Sequence, residues 1–164
     1  MADAPVTYTG QGFSPKGDKD RFVLPATFRS RVTESSGNQN LLLVTLHPVY
    51  NCLVGYGTSH RDRQARLIDA RAEAAYLAGE EFNPDSANAA FGDAVEVTYD
   101  NSGRLIIPAH LRQIAGIDEA IYFHGFRDTF LMWSPQVLEA ETDRQWLVAK
   151  AACASLVAAQ KGRK

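Results

Sequence analysis

Tyr99-Asp100-Asn101-Ser102-Gly103-Arg104-Leu105-Ile106-Ile107-Pro108 occurs in this chain together with a worn copy of itself. It reads as a strand end, a turn that needs Gly near a positive φ, then Arg, three apolar residues and Pro. That Pro opens a short amphipathic segment, Ala109 to Gly116. Upstream stands Gly17-Asp18-Lys19-Asp20-Arg21-Phe22-Val23-Leu24-Pro25-Ala26-Thr27-Phe28-Arg29. Arg21, Pro25, Phe28 and Arg29 each precede Arg104, Pro108, Leu111 and Arg112 by the same 83 positions (21 to 104). Register is repeated as well as composition, so the chain is a tandem duplication.

The flanks extend the repeat. In the first half, Val6–Thr9 alternates as a strand, and Gly10, Gly12, Pro15 and Gly17 then break regularity. Phe22–Leu24 is a short strand, Pro25 starts a helix, and Leu41–Leu46 and Cys52–Tyr56 form a hairpin-like pair. A longer helix starts at Thr58 or Ser59, either of which can cap it, and ends at Gly79. Its spacing places Ala65, Ile68, Ala72, Ala75 and Tyr76 on one face. Asn83-Pro84 opens a shorter linking helix closed by Phe91-Gly92.

In the second half, Ala94–Tyr99 and Leu105–Ile107 are strands, followed by the Pro108 helix and the strand pair Ala120–His124 and Thr129–Trp133. Ser134-Pro135 then opens one final helix to about Ala159, before the basic tail Lys161-Gly162-Arg163-Lys164. Tyr56 and Trp133 correspond at a spacing of 77, the difference matching a longer loop in the first half. The predicted units are 5–57 and 93–134 for the two repeats, 58–92 for the linking helices and 135–164 for the C-terminal helix and tail.

At 164 residues and 45% apolar content, the chain can bury one shared core but leaves little for each half alone. Its net charge of −2 means that any nucleic-acid surface must be a local patch. Cys52 and Cys153 have no metal-ligand partners nearby in sequence and read as reduced thiols. The start, MADAPVTYTG, is too polar for a signal peptide, and no apolar run reaches a membrane span. A soluble intracellular protein is expected.

With both copies in view, the chain is identified as a member of the MraZ family, each half resembling the AbrB/SpoVT swapped-hairpin module. The motif from Asp100 to Pro108, followed by Leu111-Arg112-Gln113 and Ala115-Gly116, is similar to the family's second signature almost residue for residue. Leu46-His47-Pro48 to Tyr56 and Asn83-Pro84 to Gly92 fall where the family has its hairpin and linking helix. The resemblance covers roughly residues 5 to 147. It implies an α+β fold of two tandem AbrB/SpoVT-like swapped-hairpin repeats, forming one pseudo-symmetric double-psi-type β-barrel with flanking helices. It further implies a cytoplasmic, nucleoid-associated transcriptional regulator of the division and cell-wall gene cluster. Such a regulator binds short G-rich direct repeats in double-stranded promoter DNA as a closed-ring homo-oligomer, without membrane, metal or cofactor.

Chemistry places the contacts. Arg donates two hydrogen bonds to guanine O6 and N7, and a two-stranded ribbon fits the major groove. An Arg just past a β-turn is therefore the natural reader, which selects Arg21 and Arg104. Lys16 and Lys19, beside the first turn, suit phosphates, and Arg29 and Arg112 on equivalent helices serve phosphates or cover the core with their stems. Spacing alone leaves open that Arg21 and Arg104 instead cap their turns or pair with Asp18, Asp20 or Asp100; the resemblance favours DNA. From Lys16 to Arg31 five basic residues face two acidic ones, whereas Tyr99 to Gly116 carries two against one. The first copy departs from the family pattern, with Gly17 where an acid is expected and Asp20 where Gly is expected.

The linking segment Asp85–Ala90 lacks basic side chains and is expected to pack or to contact another subunit. Arg61, Arg63, Arg66 and Arg71 read as a solvated helix face or a subunit contact. Ser59-His60-Arg61-Asp62 cannot adopt a triad geometry from adjacent positions, so His60 belongs to a helix start. His47, His110 and His124 lack partners at metal spacing, and Phe123, Phe130 and Trp133 read as core. No catalytic constellation is found. The competing expectation is an oligomeric protein-interaction scaffold whose DNA surface has weakened.

Overall fold

The structure, a computed structural model, describes residues 5–163. Met1 to Ala4 and Lys164 of the basic tail lie outside the described residues. The first half runs β1 (Gln11–Pro15), a 3-10 turn (Asp18–Asp20), β2 (Phe22–Val23), α1 (Ala26–Ser35), β3 (Leu41–Leu46), β4 (Leu53–Tyr56), α2 (Thr58–Leu77) and α3 (Asp85–Asp93). The second runs β5 (Val95–Thr98), β6 (Arg104–Leu105), α4 (Ala109–Ala115), β7 (Ala120–Phe126), β8 (Thr129–Trp133) and α5 (Pro135–Glu139). A 3-10 turn (Arg144–Trp146) and α6 (Leu147–Lys161) complete it. The α+β class and the repeated element order are as expected.

Each half builds its own hairpin, β3–β4 and β7–β8, and then lends its opening strand to the other half. Strand β1 pairs antiparallel with β7, and β5 with β3. The six strands form one sheet in the order β1-β7-β8-β4-β3-β5, and β2 pairs with β6 in a separate two-stranded ribbon. Corresponding residues face one another at two points, Phe22 opposite Leu105 and Val54 opposite Leu131. A local two-fold axis therefore passes through both ladders. Leu43 opposite Tyr56 and Tyr122 opposite Trp133 repeat the same register in the two hairpins. The sheet ends at β1 and β5, so among the described residues its ladders do not close into the expected double-psi-type barrel.

Four local expectations are corrected. Val6–Thr9 is not a strand: Tyr8 makes a single bridge to Arg127, and the strand is Gln11–Pro15. Gly12 lies within it because a Cβ there would stand 2.5 Å from the Pro25 ring, and Pro15 is tolerated at the end of an edge strand. Helix α2 starts from Gly57 with no side-chain cap from Thr58 or Ser59; the Thr58 N–H instead donates to Ser36 Oγ at 3.1 Å. The final helix is broken after Glu139 and restarts where the Asp143 side chain accepts from Gln145 N at 3.2 Å. This break points Trp146 into the core, edge-on to Trp133 at a centroid distance of 5.2 Å.

Two apolar clusters hold the sheet. On one face Phe22, Phe28, Leu105, Leu111, Phe123 and Phe130 are buried together, mixing both halves. On the other, Leu43, Tyr122, Trp133, Leu138 and Trp146 pack beneath α6. Removing a buried aromatic of this kind costs about 3–5 kcal/mol, so neither half can shed the other's contribution. The apolar face of α2 is not buried, and α3 likewise buries no residue.

Candidate nucleic-acid interface

Strands β2 and β6 are short, and their alternation sets the site. Phe22 and Leu105 face inward and are buried, so their neighbours Arg21, Val23, Arg104 and Ile106 share the outer face. Both arginines border two shallow depressions, about 560 Å³ with Asp100, Ile106 and Pro108, and about 290 Å³ with Phe13, Asp18 and Val23. The two predicted readers are thus brought to one surface from opposite halves.

The second turn is organised by Asp100. Its Oδ1 accepts from the backbone N–H of Ser102 at 2.9 Å and of Arg104 at 3.0 Å. Its Oδ2 accepts from Arg104 Nε at 2.6 Å. The Arg104 backbone N–H, together with the guanidinium, holds the Asp100 carboxyl below the usual carboxylate range. Gly103 adopts φ +86, and its carbonyl accepts from Leu24 N at 2.8 Å, joining the turn to the first half.

The first turn reaches the same end by another route. Gly17 N donates to Arg21 O at 2.7 Å, as its counterpart Asp100 N donates to Arg104 O at 3.2 Å. Lys19 and Asp20 both take positive φ, at 59 and 58. Gly17 has no carboxylate to offer, and the Asp18 backbone carbonyl accepts from Arg21 Nε at 3.2 Å in its place. Both guanidinium groups are therefore tethered through Nε. Among the described residues, neither spends its two terminal nitrogens on a protein partner. Arg104 remains half exposed.

The other four predicted residues divide. Lys19 is exposed and makes no ion pair among the described residues. Lys16 is drawn inward, its Nζ 3.6 Å from Asp20 and Glu119 and 3.7 Å from Asp118. Arg29 Nη1 donates to Asn101 O at 3.0 Å, and Arg112 Nη2 lies 4.0 Å from Asp20 Oδ2. Each of these helical arginines reaches the turn of the opposite half and acts as a cross-brace. Sequence reasoning missed Asn101 as the anchor for Arg29 and for Asn40 Nδ2, 3.1 Å from Asn101 Oδ1. It also passed over Val23 and Ile106, although the alternation around Phe22 and Leu105 was there to be read.

Away from the ribbon, Arg61 pairs with Glu96 and Asp62, and Arg63 with Asp128. Among the described residues no three His, Cys, Asp or Glu side chains gather as a metal site, and no helix is long and apolar enough to cross a membrane. Cys52 and Cys153 are free and buried, and burial pushes their thiols up to about 12 and about 11. Neither is a thiolate nucleophile at neutral pH.

A family model described as "MraZ protein, putative antitoxin-like" matches residues 90–146, which contain the whole second turn. The chain is similar to the "Transcriptional regulator MraZ" of Pseudomonas savastanoi pv. phaseolicola, 30% identical over 125 residues, 76% of this chain and 78% of that protein. It is 29% identical to the protein of the same name from Rickettsia bellii over 118 residues, 72% of this chain and 74% of that one. A third, from Rhodospirillum rubrum, is 29% identical over 127 residues, 77% and 79% of the two chains. At this identity and coverage, the chain belongs to the MraZ family.

Proposed function

We propose that this chain is a DNA-binding transcriptional regulator that presents the β2–β6 ribbon to the major groove. The observation that carries the reading is the Nε tether on both Arg21 and Arg104. A guanidinium held by Nε is fixed in direction while its terminal edge stays available for guanine O6 and N7. Lys19, exposed beside the first turn, suits a phosphate. Lys16, held by Asp20, Asp118 and Glu119, and Arg29 and Arg112, reaching the opposite turns, set those turns from behind.

The finer reading follows from the resemblance. Its targets are short G-rich direct repeats in the promoter of the division and cell-wall gene cluster, read in the cytoplasm at the nucleoid. One ribbon offers few contacts, and a closed ring of subunits multiplies them. The unburied apolar side chains Leu67, Tyr76, Leu77 and Phe91 on α2 and α3 support a subunit contact there. The units 5–57, 58–92, 93–134 and 135–164 remain our division of the chain.

A second reading, an oligomeric interaction scaffold with a weakened DNA surface, draws on the acids around Lys16 and beside Arg104. Titrating salt against binding to the duplex upstream of the chain's own gene separates the two. The regulator loses affinity linearly with log salt, at about 0.9 in slope per phosphate contact. A scaffold shows no retained duplex even at low salt.

A further inference from the structure

We infer that Val23 and Ile106 are specificity-determining residues that read thymine methyl groups beside the bases taken by Arg21 and Arg104. This inference rests on the proposed DNA reading of the ribbon. Val23 is 42% exposed and Ile106 53% exposed, and both occupy the ribbon's outer face between the two arginines. A single exposed apolar side chain is ordinary. Here two recur at related places, each set against a guanidinium from the other half. Val23 lies directly opposite Arg104 in the ladder, and continuing that register sets Ile106 opposite Arg21. Opposed residues on one face of a ribbon lie about 5 Å apart, so each arginine carries an apolar neighbour one or two base steps away.

The chemistry of the groove then selects the ligand. Along the major-groove edge of the four base pairs, the thymine C5-methyl is the one apolar group presented. A β-branched side chain on a strand is stiff and projects a fixed methyl surface, which suits contact with another methyl. The backbone beneath is also fixed, because Val23 N donates to the buried Ser14 Oγ at 2.8 Å. The ribbon thus offers two arginine–aliphatic pairs, one for a guanine and one for an adjoining thymine each.

The test uses the full chain and the duplex upstream of its gene, prepared with thymine or with uracil throughout. Uracil keeps the pairing and removes only the methyl. The wild type is expected to bind the thymine duplex about four- to fifteenfold more tightly, as burial of one or two methyl groups would give. Val23→Ala/Ile106→Ala is expected to bind both duplexes equally, at the wild-type affinity for the uracil form and with unchanged particle size. Equal wild-type affinity for both duplexes would overturn the inference while leaving the DNA reading intact. A discrimination that survives in the double variant would do the same, as would a smaller particle, which would make this face a contact between copies. No binding to either duplex at low salt would overturn the DNA reading and this inference with it.

Discussion

Gly103→Ala tests how closely the two halves are knitted. Gly103 sits at φ +86, where an Ala costs about 1–2 kcal/mol. A Cβ there would stand 2.7 Å from the Leu24 backbone oxygen and 3.1 Å from the Arg29 guanidinium carbon. The side chain of Arg29 can move; the Leu24 carbonyl cannot move without stretching the 2.8 Å bond from Leu24 N to Gly103 O. Forfeiting that bond adds about 1–1.5 kcal/mol, for a total of about 2–4 kcal/mol. Gly10→Ala is the control, because Gly10 has φ +88 with nothing within 4 Å of its added Cβ. It should cost only the conformational part, about 1–2 kcal/mol. Urea unfolding at fixed protein concentration, followed by the buried Trp133 and Trp146, measures both. Equal losses for the two variants would refute the close approach of the second turn to the first half.

Three further predictions concern the turns and the hairpin. Asp100→Asn keeps an acceptor for the Ser102 and Arg104 N–H groups but loses the charge on Arg104 Nε. DNA affinity should fall severalfold although a negative charge has gone, and a rise would mean that Asp100 only opposes DNA. Arg112→Ala should lower stability by about 1–2 kcal/mol, its side chain being 19% exposed, and Arg29→Ala by about 1 kcal/mol. The salt slope of DNA binding should stay unchanged in both; a slope reduced by about 1 would mark phosphate contacts instead.

The third is a pH dependence. His47 Nδ1 accepts from Val49 N and Tyr50 N, both at 3.0 Å, which requires neutral imidazole, and burial lowers its pKa. The folded pKa lies below the unfolded value of about 6.5, so this stability is present above that pH and is lost as pH falls through it toward the folded value. Burial lowers His60 and His124 in the same direction. Unfolding curves between pH 7.5 and pH 5 should therefore show falling stability, with a shallower fall in His47→Asn.

Much of this was legible because a repeat repeats its physics. Arg21 and Arg104 share a register, so one motif reading placed both, and Phe22 and Leu105 behave alike because their local axis makes them face each other. Strand β8 was bounded correctly at both ends, where Asp128 and Ser134-Pro135 flank an unbroken apolar run. Strand β1 was obscured because Gly12 and Pro15 look like breakers; one answers a tight contact with Pro25 and the other a sheet edge. The break after Glu139 carries no Gly or Pro; its one sequence signal is Asp143, whose side chain caps the restart and so docks Trp146 against Trp133. The pairing of β1 with β7 and of β5 with β3 was not legible, since partners distant in sequence leave no local periodicity; the family resemblance implied swapped-hairpin repeats without saying which strands cross. Arg29 reaches Asn101 and Arg112 reaches Asp20 across the two halves, contacts that leave no local pattern, so side-chain type alone left phosphate contact and core cover both open.

The central claim is that two tethered guanidinium groups on one ribbon recognise duplex DNA. The direct measurement compares the wild type with Arg21→Ala/Arg104→Ala by gel retardation of the upstream duplex, with particle size read in parallel by light scattering. Loss of two bidentate contacts, at about 1–3 kcal/mol each, predicts at least a roughly thirtyfold weaker complex at unchanged particle size. Undiminished retardation, or a particle that falls apart, would contradict the account.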